Sequence, residues 1–214
     1  INFRLAGREQ NAIKFMIALQ NLVLFSENAE WVVSSVSGAA LTPSTIAVMQ
    51  QSSVGCADVK PVVSGNSILF VQAGSNRVMQ MEYNFNAQAY SPEDVSMLAF
   101  HLFENHHIVS MVIERGIFPV LWCVRDDGVL LGLTYAPKQN VIAWHRHDVG
   151  GEVKWATSTK EQSGVAVYLA VSRDGVMCIE RMDNYSNWRD RSYFDALKTT
   201  TISRDSIAPP PGEN

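Results

Sequence analysis

The chain has 214 residues, 47% of them hydrophobic and 18% charged, with 17 basic against 21 acidic side chains and a net charge of -4. That composition can build a packed core and carries no disorder signature. It excludes a strongly basic nucleic-acid binder. No apolar run approaches the roughly 18 residues needed to span a bilayer as a helix, and no signal peptide is visible.

In chain order, residues 1 to 12 are polar, and Gly7-Arg8-Glu9-Gln10-Asn11 reads as a loop entering a β-prone run at Ile13-Lys-Phe-Met-Ile. A first hairpin follows: Asn21-Leu-Val-Leu-Phe-Ser, then Glu27-Asn28-Ala29-Glu30, then Trp31-Val-Val. Leu41-Thr42-Pro43-Ser44 is a turn signal, and Thr45 to Gln50 alternates as a strand does. Ser52-Ser53-Val54-Gly55-Cys56 reads as a loop. Val59-Lys-Pro-Val-Val precedes a second hairpin, Asn66 to Val71, then Gln72-Ala73-Gly74-Ser75-Asn76, then Arg77-Val-Met.

Residues 84 to 107 hold the one helix candidate. Ser91-Pro92-Glu93-Asp94 offers an N-cap serine, a proline at the first helical position and acids in the first turn. Val95, Leu98, Ala99, Leu102 and Phe103 then share one face, ending near Asn105.

Ile108 to Ile113 precedes the third and clearest hairpin: Val120 to Val124, Arg125-Asp126-Asp127-Gly128, then Val129 to Tyr135. Its Asp-Gly turn is a strong local hairpin signal, because glycine tolerates the positive φ that tight turns require. Ala136 to Asn140 is a turn, and Val141 to Asp148 reads as an outer strand ending at Gly150-Gly151. Val153-Lys-Trp-Ala-Thr then precedes the fourth hairpin, Val167 to Val171, Ser172-Arg173-Asp174-Gly175, and Val176 to Glu180.

Phe25 to Phe70, Val71 to Val124 and Val124 to Val171 are separated by 45, 53 and 47 residues. Periods of about 40 to 50 residues suit four-stranded propeller blades. The expected fold is all-β, a propeller-like array of about four antiparallel sheet units with one short helix, and a β-sandwich or barrel is the alternative. Residues 1–182 form the repeat domain. Residues 183–214, with Tyr185, Trp188 and Pro209-Pro210-Pro211, read as a polar linker or the start of a further module. Because the chain begins at Ile1, a fragment of a longer protein is expected.

No chemistry-bearing constellation reaches the level of an assigned site, so no catalytic, cofactor-binding or metal residue is expected, and no cofactor. His145 and His147 project to one face of a strand, which is metal-ligand geometry, but Arg146 lies between them and no third ligand can be assigned. His101, His106 and His107 have no spacing that forces convergence. Asp126-Asp127 and Asp174 suggest paired glycosidase carboxylates, yet their turn positions give them a structural reason. Neither a Gly-x-Ser-x-Gly elbow nor a nucleotide-binding glycine motif is present. Cys56, Cys123 and Cys178 form no CxxC pair and are expected to be free, buried thiols.

A set of stretches, in order, carries a resemblance: Asn11 to Phe15, Leu41 to Ser44, Ser53-Val54-Gly55-Cys56, His101 to Glu104, Val124 to Tyr135, and Ala143-Trp144-His145-Arg146-His147. Together these resemble the tail tubular (nozzle) proteins of short-tailed bacteriophages and prophages, from about residue 9 to residue 182. The resemblance implies a non-enzymatic virion structural protein with a β-propeller-like region. It implies self-association into a ring, commonly a hexamer in the full-length protein, and contacts with other tail or portal-adaptor proteins. DNA would pass through that ring without sequence-specific binding, and the protein would be made in the bacterial host cytoplasm. The alternative function is a propeller-like binding module for a host-surface glycan or another tail protein.

Overall fold

A computed structural model describes residues 12–182 except 36, 37, 39, 41, 43, 75, 117, 118 and 163, together with the backbone of 197–200. The expected entry loop over Gly7–Asn11, the stretch with Tyr185 and Trp188, and the proline tail lie outside the described residues.

The protein is all-β. Its strands are β1 (Ile13–Ala18), β2 (Leu22–Ser26), β3 (Glu30–Ser35), β4 (Ile46–Ser52), β5 (Val62–Ser64), β6 (Ser67–Val71), β7 (Val78–Asn84), β8 (Ala89–Asp94), β9 (Ile108–Glu114), β10 (Val120–Arg125), β11 (Leu130–Ala136), β12 (Val141–His147), β13 (Glu152–Glu161), β14 (Gly164–Arg173), β15 (Val176–Met182) and β16 (Leu197–Thr200). They form four four-stranded sheets in series, ordered β1-β2-β3-β4, β5-β6-β7-β8, β12-β11-β10-β9 and β13-β14-β15-β16. Each is a plain antiparallel meander, which is how hairpins at this spacing are expected to pair. The chain divides into two compact units, 1–113 and 114–214.

Local sequence explains most of this. In the third hairpin Val124 pairs with Leu130 and Val120 with Thr134. The turn closes by Gly128 N–H donating to Arg125 O at 3.0 Å, with Gly128 at φ +83°. The alternating run from Thr45 becomes β4, and the outer strand before Gly150-Gly151 becomes β12. The turn signal at Thr42 and Ser44 is a real turn: Thr45 N–H donates to Thr42 O at 3.1 Å, and Thr42 N–H donates to Thr45 Oγ1 at 2.9 Å.

The expected helix start is corrected. Ser91 and Pro92 belong to β8, where Pro92 pairs with Met81. The helix begins later, is of the 3-10 type over Met97–Leu102, and is kinked at Ala99. Leu98, expected on the inner face, is 95% exposed, whereas Ala99 and Phe103 are buried. Two facts override the capping signal. Tyr90 is buried in the core and draws its segment into the sheet. Pro92 sits on an outermost strand, where a missing N–H leaves no interior ladder bond unmade. A second helical turn, Pro137–Gln139, follows β11.

In the first unit, Val23, Phe25 and Val32 of one sheet meet Ile68, Phe70, Met79 and Met81 of the next, with Cys56 between them. Phe25 and Phe70 meet with ring centroids 5.0 Å apart. Burying side chains of this size stabilises by about 1.5–3 kcal/mol each.

Within each unit, hairpin turns are also hydrogen-bonded to the segment that follows their sheet. Ser26, ending the first hairpin's first strand, accepts the N–H of Cys56 at 2.9 Å, and Cys56 lies in the segment leading into the second sheet. In the second hairpin Asn76 Nδ2 donates to Phe103 O, in the segment that follows β8. In the third, Gly128 O accepts the N–H of Val153 at 2.9 Å as the chain enters the fourth sheet. These contacts leave no room for a side chain at two glycines. A Cβ on Gly55 would lie 1.9 Å from Glu27 O, and one on Gly128 would lie 2.7 Å from Glu152 Cβ. Gly175, the matching residue of the fourth turn, has φ +80° but nothing within 4 Å of its absent Cβ.

The two glycines should therefore respond differently to alanine. At Gly175 the cost is the left-handed backbone alone, about 1–2 kcal/mol. At Gly55 the same strain is joined by a collision with main chain, and the loss should exceed about 3 kcal/mol. Urea titration of Gly55→Ala and Gly175→Ala checks this. Equal shifts in midpoint would contradict the joint described here.

Candidate functional site

A polar cluster on a sheet face lies in the third sheet, and it is built from side chains that strand pairing brings into line. Trp122 pairs with Gly132, and Gly132 pairs with His145, so the three stand in one row across β10, β11 and β12. Gly132 is required here: a Cβ on it would lie 2.1 Å from His145 Cε1. The imidazole lies over the bare glycine and turns toward its neighbours.

His145 Nδ1 and His147 Nε2 are 2.6 Å apart, so one ring donates a proton to the other. His145 Nε2 lies 3.3 Å from Thr134 Oγ1. Trp122 meets His147 edge-on with ring centroids 4.9 Å apart, and its indole N–H donates to Glu114 Oε2 at 2.9 Å. Burial, and then the charge on His147, hold His145 below the ordinary histidine value. Burial raises the Glu114 carboxyl above the usual range, partly offset by the Trp122 N–H.

The shared face expected for His145 and His147 is therefore present, but their facing nitrogens are turned on each other rather than toward a common third point. Among the described residues no His, Cys, Asp or Glu joins the pair as a third metal ligand. His101, His106 and His107 form no cluster with one another. Asp127 is held by Arg125, whose Nε donates to its Oδ1 at 2.9 Å, and it accepts the Val129 N–H at 3.3 Å. Asp174 occupies its turn at φ 50°. Both aspartates thus act as turn residues. Trp122, Thr134 and Gly132 are not legible in sequence as neighbours of the histidines, nor Glu114 as the partner of Trp122, because each contact forms only across strands.

All three cysteines are free and buried. Burial, and then the nearby charge of Glu30, push the Cys56 thiol up to about 12, so it is not a nucleophile. Glu30 itself is fully buried at the first joint. Ser52 Oγ donates to its carboxylate. Burial raises the Glu30 carboxyl, and bonds from Ser52 and from the backbone N–H groups of Val54 and Gly55 oppose that rise. Chemically, these groups can hold a proton or fix a strand. No described helix is long and apolar enough to cross a membrane.

A scan against protein-family models matches none of them, and no curated protein matches the chain.

The histidine pair gives a testable sign. Because the folded value of His145 is depressed, the unfolded chain takes up its proton first as the pH falls. The contribution of His145 to stability is complete above its unfolded value of 6.5 and is lost below it. Glu114 works the other way: its contribution is present below 4.5 and is lost as pH rises through its raised folded value. Unfolding midpoints measured from about pH 7.5 to about pH 5.5 should fall more steeply for the natural chain than for His145→Gln. Parallel profiles would show that His145 carries no such linkage.

Proposed function

We propose that the chain is a non-enzymatic structural component of a bacteriophage tail, part of an oligomeric tube or nozzle wall in the virion through which DNA leaves. The observation that supports this reading most is where the resembling stretches fall. Ser53-Val54-Gly55-Cys56 is the segment tied to the first hairpin. Arg125-Asp126-Asp127-Gly128 is the turn tied to the fourth sheet. Ala143 to His147 is the outer strand laid over Gly132. Two of these three stretches, at Cys56 and at Gly128, thus lie where one sheet is hydrogen-bonded to the next. A wall protein depends on such joints and needs no reaction centre.

Charge is compatible with passage of DNA. A net charge of -4 offers no excess of cations to hold phosphates by counterion release. Self-association into a closed ring would use a heterologous contact, one patch against a different patch of the next copy. Glycan binding on a host surface is the competing role, and it would not call for a ring.

Light scattering on the complete gene product is the direct test, and a ring of several copies, on the scale of a hexamer, is the expected result. A monomer that persists beside the neighbouring tail proteins would overturn the proposal. Retention of duplex DNA at low salt should also be weak, and tight retention would argue against a conduit.

A further inference from the structure

The dipeptide Asp-Gly occurs twice in the chain, at Asp127-Gly128 and at Asp174-Gly175, each time in a hairpin turn. Its main-chain chemistry is unusual. The glycine nitrogen has no side chain beside it to hinder attack on the preceding carboxyl group. The fold treats the two copies in opposite ways.

The first copy is locked. Arg125 Nε donates to Asp127 Oδ1 at 2.9 Å and Arg125 Nη2 donates to Oδ2, while Val129 N–H donates to Oδ1 at 3.3 Å. The Gly128 N–H, whose nitrogen would be the nucleophile, donates to Arg125 O at 3.0 Å. Gly128 is itself buried, and its carbonyl holds the Val153 N–H. Attack on Asp127 requires several of these bonds to break first.

The second copy is left open by the geometry of its own turn. Arg173 pairs with Val176, so Asp174 and Gly175 are the central pair of a two-residue loop. Both have positive φ, 50° and 80°, as a type I′ turn requires. The bond that closes such a turn runs from the N–H of Val176 to the carbonyl of Arg173, and makes no use of the Gly175 N–H. The turn's arginine is committed elsewhere: Arg173 Nε and Nη2 donate to Glu180 at 2.7 and 3.0 Å. Asp174 and Gly175 are exposed, and among the described residues nothing lies within 4 Å of a Cβ placed on Gly175.

We propose that Asp174 is a self-modification site, at which the aspartyl residue converts to isoaspartate without any enzyme. The Gly175 nitrogen attacks Cγ of the protonated Asp174 carboxyl group. The N–Cγ bond forms, and the amide hydrogen leaves with the carboxyl hydroxyl as water, giving a succinimide ring. Water then opens the ring. Opening at the main-chain carbonyl leaves Asp174 joined to Gly175 through its side-chain carbon, and the main chain gains one methylene. No oxidant, reductant or cofactor takes part. The pairing of Arg173 with Val176 spans a loop of fixed length, so the added methylene loosens this hairpin as the chain ages. The inference rests on the two turns and stands apart from the tail reading.

Ageing the folded 214-residue chain in mildly acidic buffer, below its unfolding transition, tests this. Trypsin then releases Asp174–Arg181 and Asp126–Lys138. Isoaspartate shows as a second chromatographic peak of unchanged mass, placed by electron-transfer fragmentation at the added methylene. The Asp174 peptide should convert at least about tenfold faster than the Asp127 peptide, because the locking hydrogen bonds raise the barrier at Asp127. In concentrated urea, where neither turn persists, the two should convert at comparable rates. Asp174→Glu, at an exposed position, should remove the second peak, because the larger ring closes slowly. Equal rates in the folded chain would overturn the proposal. So would conversion of Asp174 in urea alone, or a second peak that persists in Asp174→Glu.

Discussion

A hairpin turn that hydrogen-bonds the segment following its own sheet is the constraint on which the rest of this structure depends. A four-stranded meander by itself fixes nothing about its neighbour. Two such sheets can slide face over face, because apolar contact is non-directional. The bonds from Cys56 N–H to Ser26 O, and from Val153 N–H to Gly128 O, remove that freedom. Magnitudes divide the roles. A single hydrogen bond contributes about 1 kcal/mol net, while burying Phe25 and Phe70 contributes several times that. The faces supply most of the stability, and the joints decide where the faces meet.

One of the two fully buried carboxylates sits at a joint, and the other is matched within its own hairpin. Glu30 would be a costly residue at full burial, yet it sits beside the lead-in and accepts the Ser52 hydroxyl. Glu180, equally buried, is met in two places by Arg173, at 2.7 and 3.0 Å. The Glu30 carboxylate ties the first hairpin to the segment after it, and Glu180 braces its own hairpin across β14 and β15. The histidine pair follows the same logic on an outer strand: His145 fills the space over Gly132 and hands its remaining bond to His147.

Much of this was legible in the sequence, and the limits have physical causes. The hairpins could be read because an Asp-Gly turn and its flanking apolar runs are local signals, and the series of sheets followed from their spacing. The face shared by His145 and His147 followed from strand periodicity alone. Glu114 and Trp122 did not, since register between strands sets that contact. The helix start at Ser91 was misread for a related reason. Its capping residues are adequate locally, but pairing to β7 and burial of Tyr90 outweigh them. Gly55 looked like an ordinary loop glycine. What requires it is a carbonyl of a turn far away in sequence, and nothing in Val54-Gly55-Cys56 announces that neighbour.

The central claim is that the joints are part of the folded core rather than surface contacts. Native-state hydrogen exchange at the amides of Cys56 and Val153 measures this most directly. Both should exchange as slowly as amides inside β6 and β10, since opening either joint requires separating two sheets. Exchange at the rate of exposed loop amides, with the strands still protected, would show that the sheets hold together without the joints and would contradict the account.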